Sequence, residues 1–327
     1  MSKLLSKSVL IAALALAAGL SHAEDSITVG YQTGIDPTKI PQADGTYEKT
    51  TGTHINWRKF ESGSEVIAAV ASGDVVIGNI GSSPLAAAAS RGLPIEAFLV
   101  ADEIGDAEAL VVRNGSNISK PQDLIGKKVA VPYVSTTHYS LLAALKHWNV
   151  DASRVSVLNL RPSEITAAWQ RGDIDAAYVW DPALGKIKPN GKVLTSSSQV
   201  AKWGAPTYDI WIVRKDFADK HPEIVTRFAK ASLDAIAHYK ADPQAFIANR
   251  ANLDKISRLT GASPADVVAG LKGNRFLARD EQIALLQSRF ISDVTHTAEF
   301  LKSQGKVDAL QTSYAPYVSD QYVKAAH

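Results

Sequence analysis

The chain has no cysteine at all. This excludes disulfides and thiolate metal sites, so stability has to come from a hydrophobic core. At 327 residues the chain is long enough to bury one, and the length suits two lobes of ordinary domain size. Signatures of metal or nucleophile chemistry are missing too. None of the eight His residues pairs at i, i+4 with a helical Glu, and there is no Gly-x-Ser-x-Gly elbow. These absences argue against a metal, a cofactor and catalysis. No basic run of the kind that tracks phosphate backbones occurs, which argues against nucleic acid. Beyond the N-terminus, no segment is apolar enough to cross a bilayer.

The N-terminus itself is distinctive. Lys3 and Lys7 precede an almost purely aliphatic run from Val9 to Leu20, and Ser21-His22-Ala23 follows with small residues where a signal peptidase reads. This is the pattern of a secretory leader cleaved after Ala23, too short for a span. No Cys follows the run, so a lipoprotein anchor is excluded. Setting Lys3 and Lys7 aside leaves 33 basic side chains against 33 acidic ones, a formally neutral mature protein.

Two stretches 99 positions apart follow one plan. Glu65-Val66-Ile67-Ala68-Ala69-Val70-Ala71-Ser72-Gly73-Asp74-Val75 matches Glu164-Ile165-Thr166-Ala167-Ala168-Trp169-Gln170-Arg171-Gly172-Asp173-Ile174 in its Glu, Ala-Ala and Gly-Asp positions. Each reads as an amphipathic helix closed by Gly, then a buried strand. The strands lead into polar turns, Gly81-Ser82-Ser83-Pro84 and Trp180-Asp181-Pro182. One α/β unit built twice suggests two lobes facing each other across a cleft.

Strand and helix patterns alternate from Ile27 to about Val213, which implies mainly parallel sheets covered by helices. Within this region residues 37 to 51 read as one helix. From Asp216 onward only helical spacing appears, including one long helix over 280–304. The expected organisation is a leader at 1–23, a discontinuous lobe from 24–112 and 210–327, and an inserted lobe at 113–209. The crossovers are expected near 112–116 and 206–209.

Asp123-Leu124-Ile125-Gly126-Lys127-Lys128-Val129-Ala130-Val131-Pro132, then Ser135-Thr136-Thr137-His138-Tyr139, resembles the extracytoplasmic solute-binding proteins of ABC importers. Arg171-Gly172-Asp173-Ile174-Asp175-Ala176-Ala177-Tyr178-Val179-Trp180-Asp181-Pro182 strengthens the likeness. Within that group the chain is similar to the sulfonate, nitrate and taurine branch. The segments Val29-Gly30-Tyr31-Gln32-Thr33, Gly78-Asn79-Ile80-Gly81-Ser82-Ser83-Pro84, Glu108-Ala109-Leu110-Val111-Val112 and Trp203-Gly204-Ala205-Pro206 point to its taurine-binding members. The resemblance covers essentially the whole mature chain. It implies a two-lobed α/β binding protein of type II that closes on its solute like a hinged clamp.

Taurine carries a sulfonate and an ammonium. The sulfonate needs convergent N–H and O–H donors, which helix N-termini supply without a counter-charge. Ser82 and Ser83 open one helix, and Thr136 and Thr137, after Ser135, open another in the opposite lobe; the same residue types are also ordinary N-caps. Gln32, directly after the first strand, is a further donor. The ammonium needs carboxylates. Glu108 and Asp209 sit at the expected crossovers, and Asp181 is a third candidate that also reads as a helix cap. Trp180 and Trp203 are candidate walls, with Tyr31, Tyr208 and Trp211 as further aromatics near the cleft elements; Trp211, inside a strand, reads better as core. His138 either touches ligand or supports its turn.

The expectation is therefore a periplasmic taurine receptor, monomeric, not an enzyme, working with an inner-membrane ABC permease and its cytoplasmic ATPase. An alkanesulfonate or nitrate receptor is the same-class alternative. An enzyme of the pyrimidine-synthase branch on the same fold is the other; the leader and the absent Cys weigh against it.

Overall fold

A computed structural model describes residues 26–327. The leader and its cleavage point lie outside the described residues. Ten strands form two five-stranded sheets: β1 Ser26–Tyr31, β2 His54–Lys59, β3 Ile77–Gly81, β4 Ile95–Glu103, β5 Glu108–Arg113, β6 Lys128–Val131, β7 Ser156–Asn159, β8 Ala176–Trp180, β9 Gly191–Ser196 and β10 Tyr208–Arg214. The first sheet has the order β2-β1-β3-β10-β4, the second β7-β6-β8-β5-β9. Four strands of each run in one direction, and the fourth in order is antiparallel to both neighbours. The sheets are mixed rather than mainly parallel because each takes in one strand from the crossover region. Among the described residues, no helix is long and apolar enough to cross a membrane.

The duplicated sequence unit occupies the same place in each sheet. The helix Gly63–Ser72 ends at Gly73 with φ 89°, and the helix Pro162–Arg171 ends at Gly172 with φ 79°. Both glycines take the left-handed conformation that a side chain disfavours. The strands that follow, β3 and β8, are the central strands of their sheets and are buried at every residue. Their carboxyl ends, with those of their parallel neighbours, face the crevice where open α/β sheets bind ligands.

The first sheet is locked by an aromatic core in which Phe228 stacks on Tyr47 at 4.2 Å and meets Trp211 edge-on at 5.0 Å. Phe228 comes from the helix Pro222–Ala241, so the helical tail packs on the first lobe. The second sheet has a separate apolar cluster on each face, one around Trp169 and Val179, the other around Leu141 and Tyr178.

Three further expectations change. Residues 37–51 form two short helices, Lys39–Asp44 and Thr46–Thr51, because Gly45 between them adopts φ 74°. The 280–304 pattern likewise divides into Arg279–Leu286 and Arg289–Ser303. The third change matters most for the site. β5, read from the sequence as the last strand of the first lobe up to residue 112, pairs with β8 and β9 of the second sheet. The chain therefore changes sheets within 104–107, earlier than 112–116, and returns between β9 and β10. The tail grips this first crossover: Gly105 N–H donates to Asn274 Oδ1 at 3.0 Å and Asp106 N–H to the Gly273 carbonyl at 2.7 Å.

Candidate functional site

A cleft of about 530 Å³ of empty space lies between the sheets. The first lobe lines it with Gln32, Gly34, Ile35, Gly63, Gly81, Pro84, Asp209 and Asn274. The second contributes Glu108, Ser135, Thr136, Trp180 and Asp181, and the crossover contributes Ile104 and Ala107. No Arg, Lys or His is among these lining residues.

The lobes touch across this cleft. Thr33 Oγ1 donates to the Asp181 carbonyl at 2.9 Å and stands 3.2 Å from the Trp180 indole N–H, which donates to it. At the rim Ser163 donates to Glu61 at 2.7 Å. A Cβ placed on Gly81 would lie 2.5 Å from the Thr136 methyl, so the absence of a side chain there lets the lobes meet.

Glu108 is the first residue of β5, opposite Trp180 in register, and is buried. Its two oxygens accept from Thr136 Oγ1 at 2.5 Å and Ser197 Oγ at 3.1 Å. Burial, together with the nearby Asp209 charge, pushes its carboxyl up to about 8, against the pull of those two hydroxyls. Asp209, the second residue of β10, faces Asp102 on one side and Gly81 on the other. Its carboxyl is also raised, by enclosure and then by Asp36, with Lys39 opposing. Asp181 is pushed up to about 6, mainly by burial, although Gly185 N–H donates to it at 2.8 Å. Beneath these groups Lys39 and Asp36 form a buried ion pair at 3.0 Å.

The two helix starts differ. The helix Ser82–Ser90 begins straight from β3 with Gly81 as N-cap and no side-chain cap. The helix Thr136–His147 is capped by Ser135, whose hydroxyl accepts from His138 N–H. An uncapped start leaves backbone donors free for an anion.

Of the residues expected from sequence, Gln32, Glu108, Thr136, Trp180, Asp181 and Asp209 come together in the cleft. The other five are elsewhere. Ser82 accepts from Tyr208 N–H at 3.3 Å, toward β10, and Ser83 is fully buried, its hydroxyl without a partner among the described residues. Thr137 is buried against the Ser135 hydroxyl at 2.8 Å. His138 stacks on Tyr133 at 4.6 Å and accepts from Val134 N–H, supporting its turn; burial, with Lys306 nearby, lowers its pKa to about 4. Trp203 stacks on His147 at 4.0 Å in a separate groove between the helices Thr136–His147 and Arg289–Ser303. Tyr31 and Trp211 pack around Trp57, and Tyr208 packs against Phe290, so of the five candidate aromatics only Trp180 lines the cleft. Sequence reasoning missed Asp36, Lys39, Asp102 and Asn274. The last comes from the tail and carried no local signal; the pair Asp36 and Lys39, three apart after the first strand, carried a weak one.

A family model described as NMT1/THI5 like matches residues 47–246. The chain is 52% identical over 319 residues to the taurine-binding periplasmic protein of Escherichia coli K12, covering 98% of this chain and 99% of that protein. Its structure is similar to the alkanesulfonate-binding protein of Xanthomonas axonopodis pv. citri bound to MOPS, with TM-score 0.73 at 20% identity over 90% of this chain and 98% of that one. A desulfurization enzyme matches with TM-score 0.64 at 14% identity over 92% of this chain and 98% of that one. The fold is thus the two-lobed α/β architecture of periplasmic binding proteins, one that also carries enzymes.

Proposed function

The chain belongs to the NMT1/THI5-like family, and from that membership and the chemistry of its cleft we propose that it is a periplasmic receptor for taurine. In this reading it is exported by a leader cleaved after Ala23 and acts as a monomer. It delivers taurine to an inner-membrane permease driven by a cytoplasmic ATPase. No covalent step is involved; the work is differential binding that favours the closed state.

One observation carries the ligand choice: the cleft is lined by carboxylates and by no basic side chain. A lone anion such as nitrate or an alkanesulfonate brings no cation for Glu108 and Asp209 to pair with. A zwitterion brings its own cation. Its ammonium donates to Glu108 and Asp209, while its sulfonate takes the uncapped donors at the start of the helix Ser82–Ser90 and the amide of Gln32. Trp180 and Ile35 wall in the ethylene carbons. Closure moves the lobes about the crossovers at 104–107 and 197–207.

Titration calorimetry with taurine, ethanesulfonate, β-alanine, sulfate and nitrate tests this. Taurine is expected to bind tightest, and ethanesulfonate weaker by about 3 kcal/mol, the worth of a charged hydrogen bond. Equal affinity for these two would remove the ammonium site and favour an alkanesulfonate receptor. Chemical consumption of taurine would make the protein an enzyme.

A further inference from the structure

Asp102 is a carboxylate that the cleft lining leaves unexplained. It is fully buried near the end of β4, and neither oxygen has a hydrogen-bond partner among the described residues. A buried, ionised and unpaired carboxylate is strongly destabilising. The register places Asp102 directly opposite Asp209 in the β4–β10 pair. Directly opposed residues carry their side chains on one face, so Asp102 stands on the face from which Asp209 lines the cleft. The register shifts just beyond Asp209, an irregularity of the kind that re-aims side chains beside sites. The next residue, Glu103, instead pairs with Arg275 and Arg289.

The charged groups facing Asp102 are Asp209 from β10, Asp36 and Lys39 from the segment after β1, and Glu108 from β5. Among the described residues Lys39 is the single cation in this group, and it is already bonded to Asp36. Lys39 therefore offsets Asp102 and Asp209 only in part.

We propose that Asp102 and Asp209 form a carboxyl pair that shares a proton in the ligand-free protein and releases it when a cationic nitrogen arrives at Asp209. Asp102 then sets the preference for cationic ligands without touching them. Two adjacent buried carboxyls do not both ionise. Burial is the largest cause that raises each; the Asp209 charge then raises Asp102, and the Asp36 charge raises Asp209. An ammonium beside Asp209 favours the doubly ionised pair, and the proton leaves to solvent. The ligand nitrogen keeps its protons, so one positive charge replaces another. The exchange rests on the taurine reading above; the proton-sharing pair does not.

The test has two arms, each on wild type and Asp102→Asn. In the first, taurine and ethanesulfonate are titrated at pH 7 in buffers of different ionisation enthalpy, which counts protons released. Glu108 contributes its own proton, so the difference between the two proteins is the readout. Wild type should release about one proton more than the variant with taurine and none with ethanesulfonate. Taurine affinity of wild type should also rise between pH 5 and 8 more steeply than that of the variant. The second arm melts the ligand-free proteins across the same range. A carboxyl whose folded pKa is raised holds a proton that the unfolded chain gives up. Its stabilising contribution is present below the ordinary carboxylate range and is lost as pH rises through the raised value. Wild type should therefore lose melting temperature from pH 5 to 8, and Asp102→Asn should lose less. Equal proton release, or equal melting slopes, in the two proteins overturns the pair. A taurine titration without binding overturns the receptor reading and the exchange with it, while the melting slopes still judge the pair. If Asp102→Asn does not fold, Asp209→Asn reads the same titration from the cleft side.

Discussion

The two lobes share one strand order and one helix–Gly–strand unit at the centre, and each sends carboxylates to the cleft, yet they support them differently. In the first lobe charged groups surround the carboxylate: Asp102 stands opposite Asp209, and the Asp36–Lys39 ion pair lies nearby. That lobe's helix start is uncapped. In the second lobe hydroxyls surround the carboxylate: Thr136 and Ser197 donate to Glu108, Tyr178 lies 3.1 Å from Ser197, and Ser135 caps the helix. Similar frames thus fix where strand ends and helix starts converge, while a few side chains at those ends decide whether each lobe's carboxylate is set among charges or among hydroxyls.

The sharpest way to break this division is to neutralise the carboxylate that each lobe sends to the ammonium. Glu108→Gln with Asp209→Asn should cost taurine about 3–5 kcal/mol, the cost of removing a buried charged partner. Ethanesulfonate should keep its affinity, since it has no cation that the two carboxyls could pair with. Calorimetry on the double variant reads both. Equal losses for the two ligands would mean that the carboxylates shape the cleft without pairing with the nitrogen.

A smaller effect is expected where the lobes touch. Gly81→Ala puts a methyl group 2.5 Å from the Thr136 Cγ2. Overpacking of this kind costs about 1–3 kcal/mol, and the cost falls on the closed form, so taurine affinity should drop by a comparable amount. Thr136→Ser removes that methyl but keeps the hydroxyl that donates to Glu108. The pair Gly81→Ala with Thr136→Ser should recover most of the loss. If the second change deepens the loss, contact between the lobes at this point does not limit closure.

How legible all this was in the sequence follows from the range of the interactions involved. The repeated helix–Gly–Asp–strand unit depends on local periodicity and a left-handed cap, and both copies folded as read. The strand β5 did not, because Glu108-Ala109-Leu110-Val111-Val112 carries the same buried-strand pattern whichever sheet it joins. The carboxylates Glu108 and Asp209 could be picked out because they begin strands at the crossovers. Ser83 and Thr137 could not be told from their neighbours, since adjacent residues at a helix start point in different directions and only packing decides which one faces the cleft. Asp102 looked like any acidic residue near a strand end; its meaning comes from the antiparallel partner more than 100 positions away.

Trp203 gives the smallest and most discriminating comparison. The Trp203-Gly204-Ala205-Pro206 motif suggested a cleft wall, but the indole packs between His147 and Trp148 on the outside of the second lobe. Trp180 lines the cleft, and its N–H bonds across it to Thr33. The two indoles should therefore respond differently to ligand. Trp203→Phe should leave taurine affinity within about 0.5 kcal/mol of wild type, as for changes away from a site, and should leave the ligand-induced fluorescence change intact. Trp180→Phe should weaken binding and abolish most of that change, because it removes both the wall and the bond to Thr33. Fluorescence titration of the two variants decides it. A Trp203 variant that loses the signal would place ligand-linked motion in the outer groove, where the helix Thr136–His147 meets the helix Arg289–Ser303 through Tyr139 and Phe300. Closure would then be transmitted through that helix contact as well as at the cleft.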